Sequence, residues 1–279
     1  MKIVSSSKGI HSPEFHKKKT RERRIRLTII SIVALVAVAI PVYLLKTSRF
    51  QITNLVVVGN SVTQYEDIQK IVVDKINANY LWIFPKSNDA VYPKSAIKNT
   101  LFQNIPRLNS INISLSNPHT LVVSVTENSP SALYCTDTTN PVDPSGCYFL
   151  DKTGYIFSEA PSFSGGVYVV YTSQPLIDSP LKKSFLTPEK FAPLNNFLES
   201  LSKIGLSPKT FIDKGDEYNV VLSNNAVVMW KSSADLDTIQ SDLESFLSDP
   251  NFLKERSGLQ RILYIDLRFG SKVFYKFRD

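Results

Sequence analysis

Residues 27–45, LTIISIVALVAVAIPVYLL, form a 19-residue run without a charge. As a helix it rises roughly 28 Å at about 1.5 Å per residue, close to the ~30 Å hydrocarbon core of a bilayer. Such a run predicts a transmembrane helix and divides the chain into a short leading tail and a long following body. Thr28, Ser31 and Tyr43 are its only polar-capable side chains. Pro41 sits late in the helix, where few backbone hydrogen bonds remain to be lost.

The charge distribution orients the span. The 279 residues include 32 Lys or Arg and 25 Asp or Glu, a formal net of +7. Residues 1–26 hold nine of the basic and two of the acidic side chains, so residues 27–279 are neutral, with 23 of each sign. The basic excess that would suggest nucleic acid is confined to the tail, and no nucleic-acid partner is expected. Seven basic residues lie between Lys17 and Arg26, directly before the span, and only Lys46 and Arg49 follow closely. The positive-inside rule predicts a single-pass type II protein of the cell membrane, its N-terminus cytoplasmic and its bulk extracytoplasmic. Ala37-Val38-Ala39 has the small-x-small form of a leader cleavage site, which is the alternative. The long charged region before the run, its continuation past Ala39 and Pro41 at the second mature position all favour an uncleaved anchor.

Outside the cytoplasm thiols oxidise, and the chain has two cysteines, Cys135 and Cys147. The intervening TDTTNPVDPSG is turn-rich and supplies no His or third Cys for zinc, so a disulfide closing a small loop is expected.

The body reads as two modules of an α+β fold. Alternation through Ile52, Leu55 and Val57 to Gly59-Asn60 predicts a strand. Thr63-x-x-Glu66 has the form of a capping box before Ile68, Ile71, Val72 and Ile76, a stripe at helical spacing over about 13 residues. Pro93 opens a second helix carrying Ile97, Leu101 and Ile105, and Pro106 ends it. Strands over Ser110–Leu115 and Thr120–Thr126 flank Asn117-Pro118-His119. The order strand, helix, helix, strand, strand closes near Glu127.

Residues 128–279 are richer in strands and are expected to form a mostly antiparallel sheet with flanking helices. Tyr148–Leu150 and Tyr155–Phe157 flank the Asp151–Gly154 turn, and Val167–Tyr171 adds a strand. A helix is expected around Leu194–Ile204, its start obscured by Pro193. Tyr218–Leu222 and Ala226–Trp230 form a hairpin around Asn224-Asn225. Leu236, Ile239, Leu243, Phe246 and Leu247 share one face of a last helix. Arg261–Phe269 and Lys272–Phe277 form a closing hairpin whose last strand ends two residues before the C-terminus, with no later segment expected to cover its edge.

Three stretches carry a resemblance. They are FQITNLVVVGN from Phe50 with the helix that follows, IPRLNSINISLSNPHTLVVSVTENSPSA from Ile105 running on to FLDKTGYIF, and YIDLRFGSKVFYKF from Tyr264. In this order behind an anchor, the chain resembles the FtsQ/DivIB family of bacterial cell-division proteins. The resemblance implies a basic cytoplasmic tail (1–26), a transmembrane helix (27–45), a POTRA domain of β-α-α-β-β order (46–127) and a β-domain (128–279). It also implies a non-enzymatic scaffold of the division-site complex at the septum. The implied partners are FtsB- and FtsL-like coiled-coil division proteins, besides the lipid bilayer around residues 27–45. Arg268, Phe269, Ser271 and Phe277 match the family's partner-contacting positions, and as edge residues they are expected to support little of the core. The sequence departs from the family at Asn128, where Arg is common, in the Cys135–Cys147 insert, and at Lys272, where a small residue is common.

The alternatives are a membrane-anchored POTRA module for envelope protein assembly or export and, remotely, a penicillin-binding transpeptidase. The latter's short motifs occur in order as Ser95-x-x-Lys98, Ser110-x-Asn112 and Lys152-Thr153-Gly154. That chemistry needs a Ser beside a Lys in one folded site, and the 11 residues between Lys98 and Ser110 are too few for the catalytic fold. His119 is the only histidine of the body, expected as a solvated turn residue, and Asp213, Asp216 and Glu217 are expected in a solvated loop. No catalytic, cofactor-binding or metal-ligating residue is assigned. Trp82 and Trp230 are expected to pack in the core.

Overall fold

The computed structural model describes residues 13–80, 84–136, 146–161, 166–250, 252, 261–270 and 272–278. Ser271 and Trp82 lie outside the described residues. The chain divides into two compact units, one of Met1–Leu101 with Ile111–Val125, the other of Phe102–Ser110 with Thr126–Asp279.

The first unit begins with helix α1 (Pro13–Lys46), in which Arg21–Tyr43 is long and apolar enough to cross a membrane, its apolar residues almost all exposed. Strand β1 (Asn54–Val58) ends at Gly59 (φ +86°), where a Cβ would stand 2.1 Å from the Val125 carbonyl oxygen. Helix α2 (Tyr65–Ile76) buries Ile68, Val72 and Ile76, as the 3.6-residue period requires. The expected capping box is not what starts it: the N-cap is Gln64, extended and without a side-chain cap bond, one residue past Thr63. A two-stranded ladder, β2 (Asn79–Tyr80) with β3 (Phe84–Pro85), leads to helix α3 (Lys94–Asn104), which buries Ile97 and Leu101. Ile105 lies beyond the helix end, half-buried.

Strands β4 (Leu108–Asn117) and β5 (Thr120–Glu127) complete a sheet of order β1-β5-β4, with β1 parallel to β5. β5 buries the alternate residues Leu121, Val123 and Val125, and β4 buries Ile111 and Ile113 at the same spacing, with Leu108 at its start. His119, expected to be solvated, is instead half-buried at the turn, its Nδ1 3.0 Å from the Gln51 carbonyl oxygen. The turn is held as well by its own backbone, since the amides of Thr53 and Asn54 donate to the His119 carbonyl.

The second unit is built on a nine-stranded sheet. Its strands are β6 (Ala132–Cys135), β7 (Cys147–Leu150), β8 (Ile156–Glu159), β9 (Val170–Ser173), β10 (Pro208–Asp213), β11 (Glu217–Leu222), β12 (Val227–Lys231), β13 (Ile262–Phe269) and β14 (Lys272–Phe277), in the order β14-β13-β12-β11-β10-β9-β6-β7-β8. The sheet is mixed, with parallel pairs at β6–β9, β9–β10 and β12–β13. Parallel neighbours need a crossover, and helices supply two of them. Helix α4 (Pro188–Lys203) links β9 to β10, and α5 (Leu236–Leu247) links β12 to β13. They touch through Ser200 and Gln240 (3.3 Å), so both lie over one face of the sheet.

The core between helices and sheet is aromatic. Phe191, Leu194, Phe197, Leu198 and Leu201 of α4 meet Tyr171, Phe211 and Trp230 of the strands, and Trp230 packs edge-on to Phe197 with centroids 5.2 Å apart. Gly154, at φ +82°, lies against the Phe191 ring, where a Cβ would come within 2.7 Å. A smaller cluster on Leu133, Cys135 and Cys147 collects Phe149, Tyr168 and Val170.

A candidate partner-binding edge

The closing hairpin forms because β13 buries Ile262, Ile265 and Leu267, whereas β14 buries none of its residues fully. β14 is the terminal strand of the sheet, and among the described residues no strand pairs with its outer side. The opposite edge is different. The backbone of Ile156 in β8 exchanges hydrogen bonds with Lys182 and Lys183, and the amide of Phe185 donates to Gly154. Arg107, which sequence reasoning did not single out, donates to Ser158 Oγ of β8 (2.9 Å) and lies over the Phe157 ring. Among the described residues one edge of the sheet is thus covered and the other open, and an open edge offers unpaired backbone donors and acceptors.

The structure divides the sequence-predicted residues between two roles. Phe269 is 58% exposed and meets Phe274, itself 49% exposed, edge-on with centroids 5.3 Å apart. Tyr275 is 42% exposed. Sequence reasoning missed Phe274 and Tyr275, although the run Val273–Phe277 with three aromatics at a predicted edge was the available signal. Phe277 is not the exposed edge residue expected of it: it is half-buried and stacks on Phe252, 2% exposed, with centroids 6.3 Å apart.

Arg268 is engaged within the chain. Its Nε and Nη2 donate to the two carboxylate oxygens of Asp266 (2.9 and 2.7 Å), and its Nη1 donates to Glu217 Oε2 (2.6 Å). Residues two apart on a strand share a face, which brings Arg268 to Asp266, and a bulge between Asp266 and Phe269 adds the Arg268 amide to the same carboxylate (3.1 Å). Glu217, expected in a solvated loop, opens β11 and takes Lys214 as a second cation at 3.2 Å. Hydrogen bonds from Arg268 hold the carboxyls of Asp266 and Glu217 below their ordinary range, against the burial that pushes them up. The same pairing raises the Arg268 pKa. Met229, Tyr264 and Asp266 line a shallow cleft with Arg268, Phe269 and Phe274, so the exposed aromatics border a charged wall that is already neutralised.

Cys135 and Cys147 are disulfide-bonded and stand opposite each other in the β6–β7 pair. The motif residues weighed for transpeptidase chemistry are spread over separate elements: Ser95 and Lys98 on α3, Ser110 and Asn112 on β4, and Lys152–Gly154 in the β7–β8 turn. The Ser110 hydroxyl is hydrogen-bonded to Thr126 at 2.7 Å. Among the described residues no group of His, Cys, Asp and Glu is placed to hold a metal ion. Compared with models of known protein families the chain matches none, and no curated protein is significantly similar to it.

Proposed function

We propose that this protein is a membrane-anchored scaffold of the bacterial division site, binding FtsB- and FtsL-like coiled-coil proteins through the β14 edge and performing no catalysis itself. The β14 edge, unpaired among the described residues, with Phe269, Phe274 and Tyr275 exposed on its hairpin and the opposite β8 edge covered, is the observation that carries this reading. Backbone groups on such an edge give an incoming strand affinity, and protruding aromatics give it anchors. Lys272 and Lys276 are exposed on the same strand and favour an acidic segment.

The rest of the architecture supports the same reading. The order β1-α2-α3-β4-β5 with β1 parallel to β5 suits a POTRA domain over residues 46–127, followed by a β-domain over 128–279. The apolar helix suits a type II anchor, and a disulfide suits an extracytoplasmic body.

Two measurements test the proposal. A fluorescent fusion of the full chain should concentrate at the septum; even decoration of the envelope would instead indicate an export or assembly module. In pull-downs of the full chain with FtsB- and FtsL-type proteins, Phe269→Ser with Phe274→Ser should weaken association by about 1–3 kcal/mol, the range for lost aromatic anchors. Both side chains are largely exposed, so circular dichroism should remain that of the wild type. Undiminished association would place the partner surface elsewhere.

A further inference from the structure

Helix α1 runs unbroken from Pro13 to Lys46, 34 residues. At about 1.5 Å per residue it rises roughly 51 Å, more than the ~40–45 Å of a bilayer with both headgroup layers. With residues 27–45 in the hydrocarbon, residues 21–26 rise a further roughly 9 Å, about the depth of one headgroup layer. That stretch is Arg-Glu-Arg-Arg-Ile-Arg, and all six residues are exposed.

The placement of the cations around the helix distinguishes two kinds of neighbour. At ~100° per residue, Arg23, Arg24 and Arg26 lie at about 200°, 300° and 140° from Arg21. They form a collar, not a stripe. A helix lying flat on a surface or docked in a protein groove keeps its cations to one side and its apolar residues to the other. A helix standing upright through headgroups meets phosphate on every side, which is what a collar fits. The four guanidinium groups have no ion-pair partner among the described residues, in contrast to Arg268. Thr28, next along the helix, turns its hydroxyl back to the carbonyls of Arg24 and Ile25 (3.1 and 2.8 Å), as a polar group entering hydrocarbon must.

A guanidinium takes phosphate oxygens two at a time. In a zwitterionic lipid the phosphate is already balanced by its own ammonium, whereas in an anionic lipid it is not. We infer that Arg21, Arg23, Arg24 and Arg26 form a headgroup collar that selects anionic phospholipids around the inner end of α1. This rests on the reading of α1 as a membrane span and adds to it the chemistry of the surrounding lipid.

The test uses the full-length protein in detergent, titrated with phosphatidylglycerol or phosphatidylcholine of identical acyl chains and read by native mass spectrometry. The wild type should retain phosphatidylglycerol over phosphatidylcholine by on the order of tenfold. The variant carrying Arg21→Gln, Arg23→Gln, Arg24→Gln and Arg26→Gln should bind the two lipids nearly equally. Adding inorganic phosphate should reduce lipid retention no more than chloride at equal ionic strength; specific displacement by phosphate would make a free anion the ligand and overturn the lipid assignment. An unchanged preference in the quadruple variant, or none in the wild type, overturns the collar. Resistance of the wild-type protein to alkaline-carbonate extraction separates that failure from failure of the span, since extraction would remove the membrane reading and the collar together.

Discussion

Arg268 joins three carboxylate oxygens of two residues, and this makes it a structural cation before it can be a contact for a partner. Asp266 is 6% exposed, so a change that removes its guanidinium leaves a buried carboxylate uncompensated. Arg268→Ala should therefore lower stability by about 1–3 kcal/mol, the partial exposure of the pair reducing the cost of a fully buried break. Arg268→Glu should lower it further by placing a third carboxylate beside two. Both carboxyls have folded-state pKa values below their unfolded ones, so their contribution is present above about pH 4 and is lost as pH falls through the depressed values. Denaturant midpoints at pH 6 and pH 3 should thus differ more for the wild type than for Arg268→Ala. Equal pH sensitivity would mean the network contributes nothing. Asp266, two residues away on the strand expected over Arg261–Phe269, was within reach of the sequence pattern although the sequence reading did not pair it with Arg268. Glu217, 51 residues earlier in sequence, was not, because only the β11–β12–β13 adjacency brings it there.

Elements with one wet face were readable and those without were not. The period of α2 and α5 and the alternation of β5 follow from burying one side of each. β6 buries Ala132, Leu133, Tyr134 and Cys135 alike, so it has no alternation to read, and β10 buries only Phe211 in six residues. β9 begins at Val170 instead of Val167, and α4 begins at Pro188, six residues before the sequence reading, because a proline in the second turn of a helix forfeits one bond without stopping it. The closing hairpin was legible from its own pattern and its edge position was expected, but the order of the strands beside it was not, since that order depends on the α4 and α5 crossovers. That order bears on the disulfide. β6 and β7 are separated from β13 and β14 by four strands, so Cys135→Ser with Cys147→Ser should lower stability by about 2–3 kcal/mol through loss of the closed loop. Association with the proposed coiled-coil partners at temperatures below unfolding should be unchanged. Weakened association in a folded double variant would tie the disulfide to the partner surface.

At the scale of the whole molecule, composition alone misleads and position corrects it: the net +7 belongs to residues 1–26, and the body after them is neutral. With α1 read as a membrane span, the basic tail before it suits an anionic surface and the disulfide after it suits an oxidising medium. The orientation proposed here satisfies both, whereas the inverted one would hold Cys135 and Cys147 in a reducing compartment. A reporter active only outside the cytoplasm should therefore be active when fused after Asp279 and inactive when fused before Lys2. Charge also predicts how the orientation fails. Replacing the seven basic residues between Lys17 and Arg26 with Gln removes the asymmetry across the span, leaving Lys46 and Arg49 as the nearest cations. In that variant the C-terminal reporter should lose activity in part, as a fraction of chains inserts the other way. Intact mass of the membrane-extracted wild type should include Lys2, and a soluble product beginning at Ile40 would show a cleaved leader in place of an anchor.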